Sequence, residues 1–419
     1  MRPTMRPTIM LSTAAMIIAA AVAPVSDLRA EVKPGDYRLV VTTPLGELPI
    51  NLKVEKKGSE WSAAYINGPE KMQAEVTRVG GDALTVEFPS YNARLEATVD
   101  GAGALAGKLV FNRASGAVEV PLAGQHGQAH RFFAAPEKTV ANLGGRWAVS
   151  VPAPDGTSRP GIAEFTQTGE KIHGAVMYIN ADTRWLAGEV RGNELYMSVF
   201  DGGTGALWRG TLQADGTLAG ESFSMVGFMR QAFTAKRDAQ AALPDPTKLT
   251  YLKPGYDKFE FSFPERETGK PVTLADARFK DKVTIITIGG SWCPTCHDEM
   301  AYIAPYVRAN RARGLEAVAL MYEFSPDFAK ASAACGNFAK RYGIDFPMLI
   351  AGTADKEAAS KTLPMINAVL VYPTMIVVDR KGNVRQIHTS FPGPATGVHH
   401  ENFKKDFERL IDGLLSEGV

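Results

Sequence analysis

Short pieces of sequence recur along the first 235 residues at a nearly constant offset, and this repetition limits the fold more than any other feature. Gly35-Asp36-Tyr37, followed by Leu39-Val40-Val41, is echoed by Gly145-Arg146-Trp147 followed by Ala148-Val149. Tyr65-Ile66-Asn67 returns as Tyr178-Ile179-Asn180, and Leu105-Ala106-Gly107 as Leu218-Ala219-Gly220. The offsets stay between 110 and 113 residues, which a tandem duplication explains most economically. In the second copy, alternating or β-branched runs predict strands over 147–151, 161–167, 172–178, 185–190, 194–200, 206–213 and 218–223. Asp155-Gly156, Gly192-Asn193 and Asp215-Gly216 suit hairpin turns between them. No helical period interrupts either copy. Short connections make sequential strands antiparallel neighbours, so the expectation is a duplicated all-β meander, closed as a barrel or folded as a sandwich.

The remaining sequence follows another rule. With 419 residues the chain is too long for one core. Residues 236–254 hold Pro244, Pro246 and Pro254 with little periodicity and read as a linker. Beyond them strands are expected at 283–288, 315–322, 347–351, 375–379 and 384–389, and helices at 296–313, 327–342 and 400–415. The last helix lines up Phe403, Phe407, Leu410, Ile411 and Leu414 on one face. Alternation of this kind builds an α/β layer domain. The expected parts are therefore β repeats at 31–140 and 141–235, a linker, and an α/β domain at 255–419.

Arg2 and Arg6 precede an apolar run at residues 9–23, which has the length of a signal-peptide core and is short for a membrane span. Small residues offer cleavage after Ala23 or Ala30, and Pro24 favours the second. Residues 1–30 are thus expected to direct export, to the periplasm in a Gram-negative cell. No later stretch is long enough to cross a bilayer. A formal net charge of +1 gives no electrostatic case for nucleic acid or an acidic membrane surface.

Only three cysteines are present, and two of them form Cys293-Pro294-Thr295-Cys296 directly after the strand at 283–288. A large exported chain with so few cysteines is not held together by disulfides, so the pair is there for reactivity or for a ligand. Where a helix begins, unpaired N–H groups and the helix dipole favour an anion. Cys293 is accordingly expected to be the exposed nucleophile and Cys296, one turn further in, the resolving thiol. Pro294 fits the first helical position, whose N–H would be unpaired anyway.

Trp292-Cys293-x-x-Cys296 after a strand, with Tyr372-Pro373-Thr374 before a later one, resembles the thioredoxin-like superfamily. The segment 259–282, with Phe-Glu-Phe-Ser-Phe-Pro and then Gly269-Lys270-Pro271-Val272-Thr273-Leu274, is similar to the N-terminal extension of its TlpA-like periplasmic members. The resemblance covers residues 255–419 and is silent on the β repeats. It implies a thiol-disulfide oxidoreductase that needs no cofactor or metal. Its partners would be protein thiols or disulfides, together with an unidentified redox donor or acceptor. It also implies that Pro373 is the cis-proline opposite the dithiol, and that Glu299 is an acidic neighbour tuning thiol protonation; a solvated first-turn glutamate is the competing reading of Glu299. Two positions depart from the family. Ile288-Gly289-Gly290 replaces an aromatic-rich strand end, and Thr287 stands where thioredoxin has a buried Asp.

Other readings compete. Cys293-x-x-Cys296-His297 matches the attachment motif of c-type haem, with His297 as axial ligand. A zinc site lacks a second ligand pair, because His399 and His400 would point to different sides of a helix. A peroxiredoxin-type peroxidase would place a single cysteine after Pro-x-x-x-Thr, a pattern missing here. Cys335 reads as a buried small hydrophobe. The β repeats could make the chain a binding or scaffold protein of the cell envelope with an accessory redox domain, although Trp147, Trp185, Trp208 and Tyr178 read as core. Visible absorption separates the first two chemistries: a Soret band in the purified protein would end the dithiol reading.

Overall fold

The computed structural model describes residues 30–418 except 114, 115, 139, 154 and 226. The export segment expected at 1–30 therefore lies, apart from Ala30, outside the described residues.

The first sheet has nine antiparallel strands. Consecutive strands form hairpins, and the first, Gly35–Thr43, also pairs with the last, Gly116–His126, setting Tyr37 opposite His126. Period-two alternation turns Tyr37, Leu39 and Val41 inward along the first strand. The sheet ends, Glu70–Gln73 and Val76–Gly80, are joined through Ala74 and Glu75, whose N–H groups bond Ala63 O at 2.9 Å and Glu87 O at 3.1 Å in the two adjacent strands. A barrel-like sheet results.

The second sheet closes completely. Gly145–Pro152 pairs with both Ser158–Thr168 and Met229–Arg237, and Ser158–Thr168 pairs on its other side with Lys171–Tyr178. The remaining neighbours complete the ring, so its main strands leave no free edge. The strand Met229–Arg237 was not anticipated from the sequence. Trp147 and Trp208 are buried here, Trp208 packing on Phe233 with ring centroids 4.4 Å apart. Tyr178 and Trp185 are only partly buried.

The two barrels share an apolar contact, in which Phe200, Leu207, Phe223 and Met225 of the second pack into the core of the first. Arg131, buried between them, donates to Ser198 O and Ser198 Oγ at 2.9 Å each and to Asn51 Oδ1 at 3.1 Å.

The C-terminal domain is a five-stranded mixed sheet covered by helices. Its elements are β1 (Val283–Gly289), α1 (Pro294–Asn310), β2 (Leu315–Glu323), α2 (Phe328–Tyr342), β3 (Met348–Thr353), α3 (Lys356–Thr362), β4 (Thr374–Val378), β5 (Val384–Thr389) and α4 (Val398–Ser416). The strand order is β3-β2-β1-β4-β5, with β1 to β3 parallel and β4 and β5 antiparallel to their neighbours. β1 is buried along its whole length, as a central strand covered on both faces must be. The helix expected at 296–313 begins at Pro294 and yields to a 3-10 turn, Arg311–Arg313, ended by Gly314 at φ 99°. α3, capped by the Asp355 side chain, was not expected. The segment read as a linker lies against this domain: Thr389 N–H bonds Pro246 O at 2.9 Å and Asn367 Nδ2 bonds Leu249 O at 3.0 Å.

Backbone crossings in the second barrel depend on glycine. A Cβ at Gly188 would lie 1.9 Å from the Tyr196 carbonyl oxygen. Gly188→Ala should therefore lower barrel stability by about 3 kcal/mol, the range of overpacking in a tight core, read as an earlier urea-unfolding midpoint of the barrel tryptophan fluorescence.

Candidate active site

β1 delivers the chain to the site through two glycines with little room around them. A Cβ at Gly290 would come 2.7 Å from the Tyr322 carbonyl oxygen, and one at Gly289 3.0 Å from Cys296 Sγ. This closeness accounts for the departure from an aromatic strand end. Trp292 then folds back, its Nε1–H bonding Tyr322 O at 2.8 Å and its ring packing between Phe324 and Tyr372 at 4.6 and 5.6 Å.

Cys293 caps α1. Its sulfur accepts the Cys296 N–H at 3.3 Å, meeting one of the unpaired donors of the first turn, and Pro294 follows as the first helical residue. The same sulfur lies 3.5 Å from the Tyr372 carbonyl oxygen, and the Tyr372–Pro373 bond is cis. Cys293 was expected to be exposed. It is 4% exposed, because the segment leading to Pro373 lies directly against it. Cys296 is buried beneath it, and all three cysteines are free thiols. Burial, then the neighbouring Cys293 sulfur and Glu299, pushes the Cys296 thiol well above its ordinary pKa.

Glu299 is 1% exposed, so a solvated glutamate is ruled out. Neither carboxyl oxygen has a hydrogen-bond partner, and burial alone pushes its pKa up to about 8. A second buried carboxyl, Glu323 at the end of β2, went unnoticed in the sequence. It accepts Ser291 N–H at 2.7 Å, Ser291 Oγ–H at 2.8 Å and the Cys335 thiol at 3.4 Å. Burial raises its pKa, opposed by the bonds from Ser291. Cys335 is buried in the domain core, as expected.

His297 is not placed to bind haem iron. Its Nδ1 lies 2.7 Å from Tyr342 Oη and its Nε2 2.7 Å from the Ser291 carbonyl oxygen, so both ring nitrogens are in use. Burial, reinforced by Arg341 and Arg184, pushes its pKa well below the ordinary histidine value. The ring stacks on Tyr91 of the first barrel at 3.8 Å and 19°. Beside it, Asp298 Oδ1 receives Arg184 of the second barrel at 2.7 Å. His399 and His400 point apart as expected, to Glu164 at 3.1 Å and Pro392 O at 2.8 Å.

Residues 253–399 match the Redoxin family. The thiol-disulfide oxidoreductase ResA of Bacillus subtilis (strain 168) is 26% identical over 147 residues, covering 35% of this chain and 70% of ResA. The thioredoxin-like protein YneN of the same strain is 30% identical over 148 residues, covering 35% of this chain and 71% of YneN. The chain belongs to the thioredoxin-like thiol-disulfide oxidoreductases. A second ResA, from Bacillus thuringiensis subsp. konkukian (strain 97-27), is 29% identical over 118 residues, 28% of this chain and 60% of that protein. Among solved structures, a thioredoxin-family thiol:disulfide interchange protein from Chlorobium tepidum TLS aligns with 42% of this chain and 100% of its own, at 21% identity and a TM-score of 0.30. The family match begins at residue 253, so it leaves the barrels of this thioredoxin-like protein unassigned.

The raised pKa of Glu299 sets a pH dependence. Below its unfolded value of 4.5 the carboxyl is protonated in both states. Between 4.5 and about 8 only the unfolded state ionises, so stability falls as pH rises through this window. Glu299→Gln should flatten the decline between pH 5 and 8, recovering at most about 5 kcal/mol at pH 8, as seen in urea midpoints measured across that range. Asp298, raised to about 7 by burial, contributes with the same sign, so part of the slope should remain.

Proposed function

We propose that this protein exchanges disulfides with other proteins outside the cytoplasm through the Cys293-Pro294-Thr295-Cys296 dithiol. The observation carrying this reading is the Cys293 sulfur, held at the start of α1 by Cys296 N–H at 3.3 Å and facing the Tyr372 carbonyl at 3.5 Å. In the reducing direction, the Cys293 thiolate attacks a partner disulfide. One Cys293–partner S–S bond forms, the partner's own S–S bond breaks, and its second sulfur leaves as a thiolate. Cys296 then loses its proton and attacks Cys293, which frees the partner as a dithiol and leaves a Cys293–Cys296 disulfide. A separate thiol donor restores the pair. With an oxidised site the same steps run backwards.

Cys296 needs a proton acceptor at the resolving step, since burial holds its thiol protonated. Glu299 is assigned that role in its ionised form: it acts on the Cys296 thiol electrostatically, has two unpaired oxygens, and has a pKa pushed up to about 8. The Tyr372 carbonyl before Pro373 is assigned to pairing with the partner's extended backbone. Residues 1–30 are proposed to export the chain to the periplasm, and the barrels to descend from one duplicated unit.

Cys293→Ser should abolish reduction of insulin disulfides, while Cys296→Ser should retain the first attack and accumulate a covalent partner adduct visible on non-reducing gels. A Cys293→Ser protein with full activity would refute the assignment.

A further inference from the structure

The two residues after the dithiol are enclosed by the barrels. Tyr91 ends the turn Pro89–Tyr91, after which Asn92 takes a left-handed φ of 56°. Its ring lies flat on the His297 imidazole at 3.8 Å. The same turn is fastened to α2, where Arg341 reaches Glu75 Oε1 at 2.8 Å and Ser90 Oγ at 3.4 Å. On the other side Arg184 reaches Asp298 at 2.7 Å.

His297 in turn bears on the turn carrying the nucleophile. Its Nε2 meets the Ser291 carbonyl, and Glu323 holds both the N–H and the hydroxyl of the same serine. Every polar group of Ser291 is thus engaged, two residues before Cys293. The imidazole is held by Tyr342 at Nδ1, by Ser291 at Nε2, by Phe338 edge-to-face at 4.7 Å and by Tyr91 flat against its face. The last of these comes from outside the domain that holds the cysteines.

We infer that the first barrel is a working part of the redox centre, with Tyr91 positioning His297 and, through it, the Ser291–Cys293 turn. The inference rests on the proposed disulfide exchange and adds a participant to it. Its physical basis is an asymmetry between redox states. In the disulfide form a covalent bond fixes the Cys293 sulfur. In the dithiol form the sulfur depends on the turn to keep it on the Cys296 N–H. Loosening the turn therefore destabilises the dithiol more than the disulfide.

The test uses the full-length protein equilibrated in glutathione buffers, with the Cys293–Cys296 state read by thiol alkylation and mass. Tyr91→Ala and Tyr91→Leu, each checked for folding by circular dichroism, should shift the equilibrium about tenfold toward the disulfide, equivalent to about 30 mV. Tyr91→Phe keeps the ring on His297 and should restore the wild-type equilibrium. His399→Ala, which breaks the distant contact of α4 with Glu164, should also match wild type and so separates positioning from general weakening of the interface. Wild-type equilibria in folded Tyr91→Ala and Tyr91→Leu proteins would overturn the inference. So would a Tyr91→Phe shift as large as that of Tyr91→Ala, since the hydroxyl, which donates to Asp201 at 3.2 Å and accepts from Arg184 at 3.3 Å, would then carry the effect. A wild-type protein that forms no Cys293–Cys296 disulfide in any buffer would instead overturn the proposed function.

Discussion

All three folded parts meet at the buried cation of Arg184. The Arg184 guanidinium lies 2.7 Å from Asp298 of α1, 3.2 Å from Glu70 of the first barrel and 3.8 Å from Asp201 of its own barrel, and donates to Tyr91 Oη at 3.3 Å. Charges removed from water are stable only when closely paired. Here a single cation meets carboxylates from three parts of the chain, so losing the second barrel, which carries it, would take this partner from both Glu70 and Asp298. Surface ion pairs such as Arg409–Asp406 carry no comparable demand, because water takes the place of a lost partner. Arg184 is held at φ 58°, an uncommon backbone for a side chain of this size, by Asp182 Oδ1 accepting its N–H at 2.7 Å. Asp182 Oδ2 also accepts Gly393 N–H from the C-terminal domain at 3.1 Å, so one carboxylate both shapes the turn and joins the domains.

Around this cation the active-site turn is assembled from groups that are each satisfied elsewhere. Ser291 is bonded through all its polar atoms, Trp292 through its indole and Cys293 through its sulfur. Glu299 departs from this, with two buried oxygens and no partner, as does the Tyr372 hydroxyl. An unpaired carboxyl in a dry site is costly to ionise, which is why the pKa of Glu299 is pushed up to about 8. The local rule broken at Glu299 falls close enough to Cys296 for its charge to raise that thiol's pKa.

Patterns confined to a short window were legible in the sequence. The alternation in Trp147-Ala148-Val149-Ser150-Val151 located a barrel strand, and the strand–Trp292–Cys293–Pro294 order located a helix capped by sulfur. The apolar face of α4, with Phe403, Phe407 and Ile411 buried, was equally plain. Met229–Arg237 was missed because its inward residues, Phe233 and Ala235, are too few among Arg230, Gln231, Lys236 and Arg237 to show a period. α3 was missed because a seven-residue helix carries almost no period at all. The burial of Cys293 and the partners of His297 and Asp298 could not be read locally. They come from Tyr372, Tyr91 and Arg184, which lie between 79 and 206 positions away along the chain. Glu323 carried no signal, since a glutamate ending a strand ordinarily faces water.

The pairing of His297 with Tyr91 and of Asp298 with Arg184 couples substitutions across the whole chain. A lysine at 298 would suit a helix surface open to solvent, but here it would set two cations together in a dry space. A change acceptable at 297 or 298 must therefore be matched in a barrel. Substitutions at the four positions are thus coupled through these two contacts. Transplanting only the C-terminal third into another carrier would expose an imidazole and a carboxyl that this chain shapes for an interior.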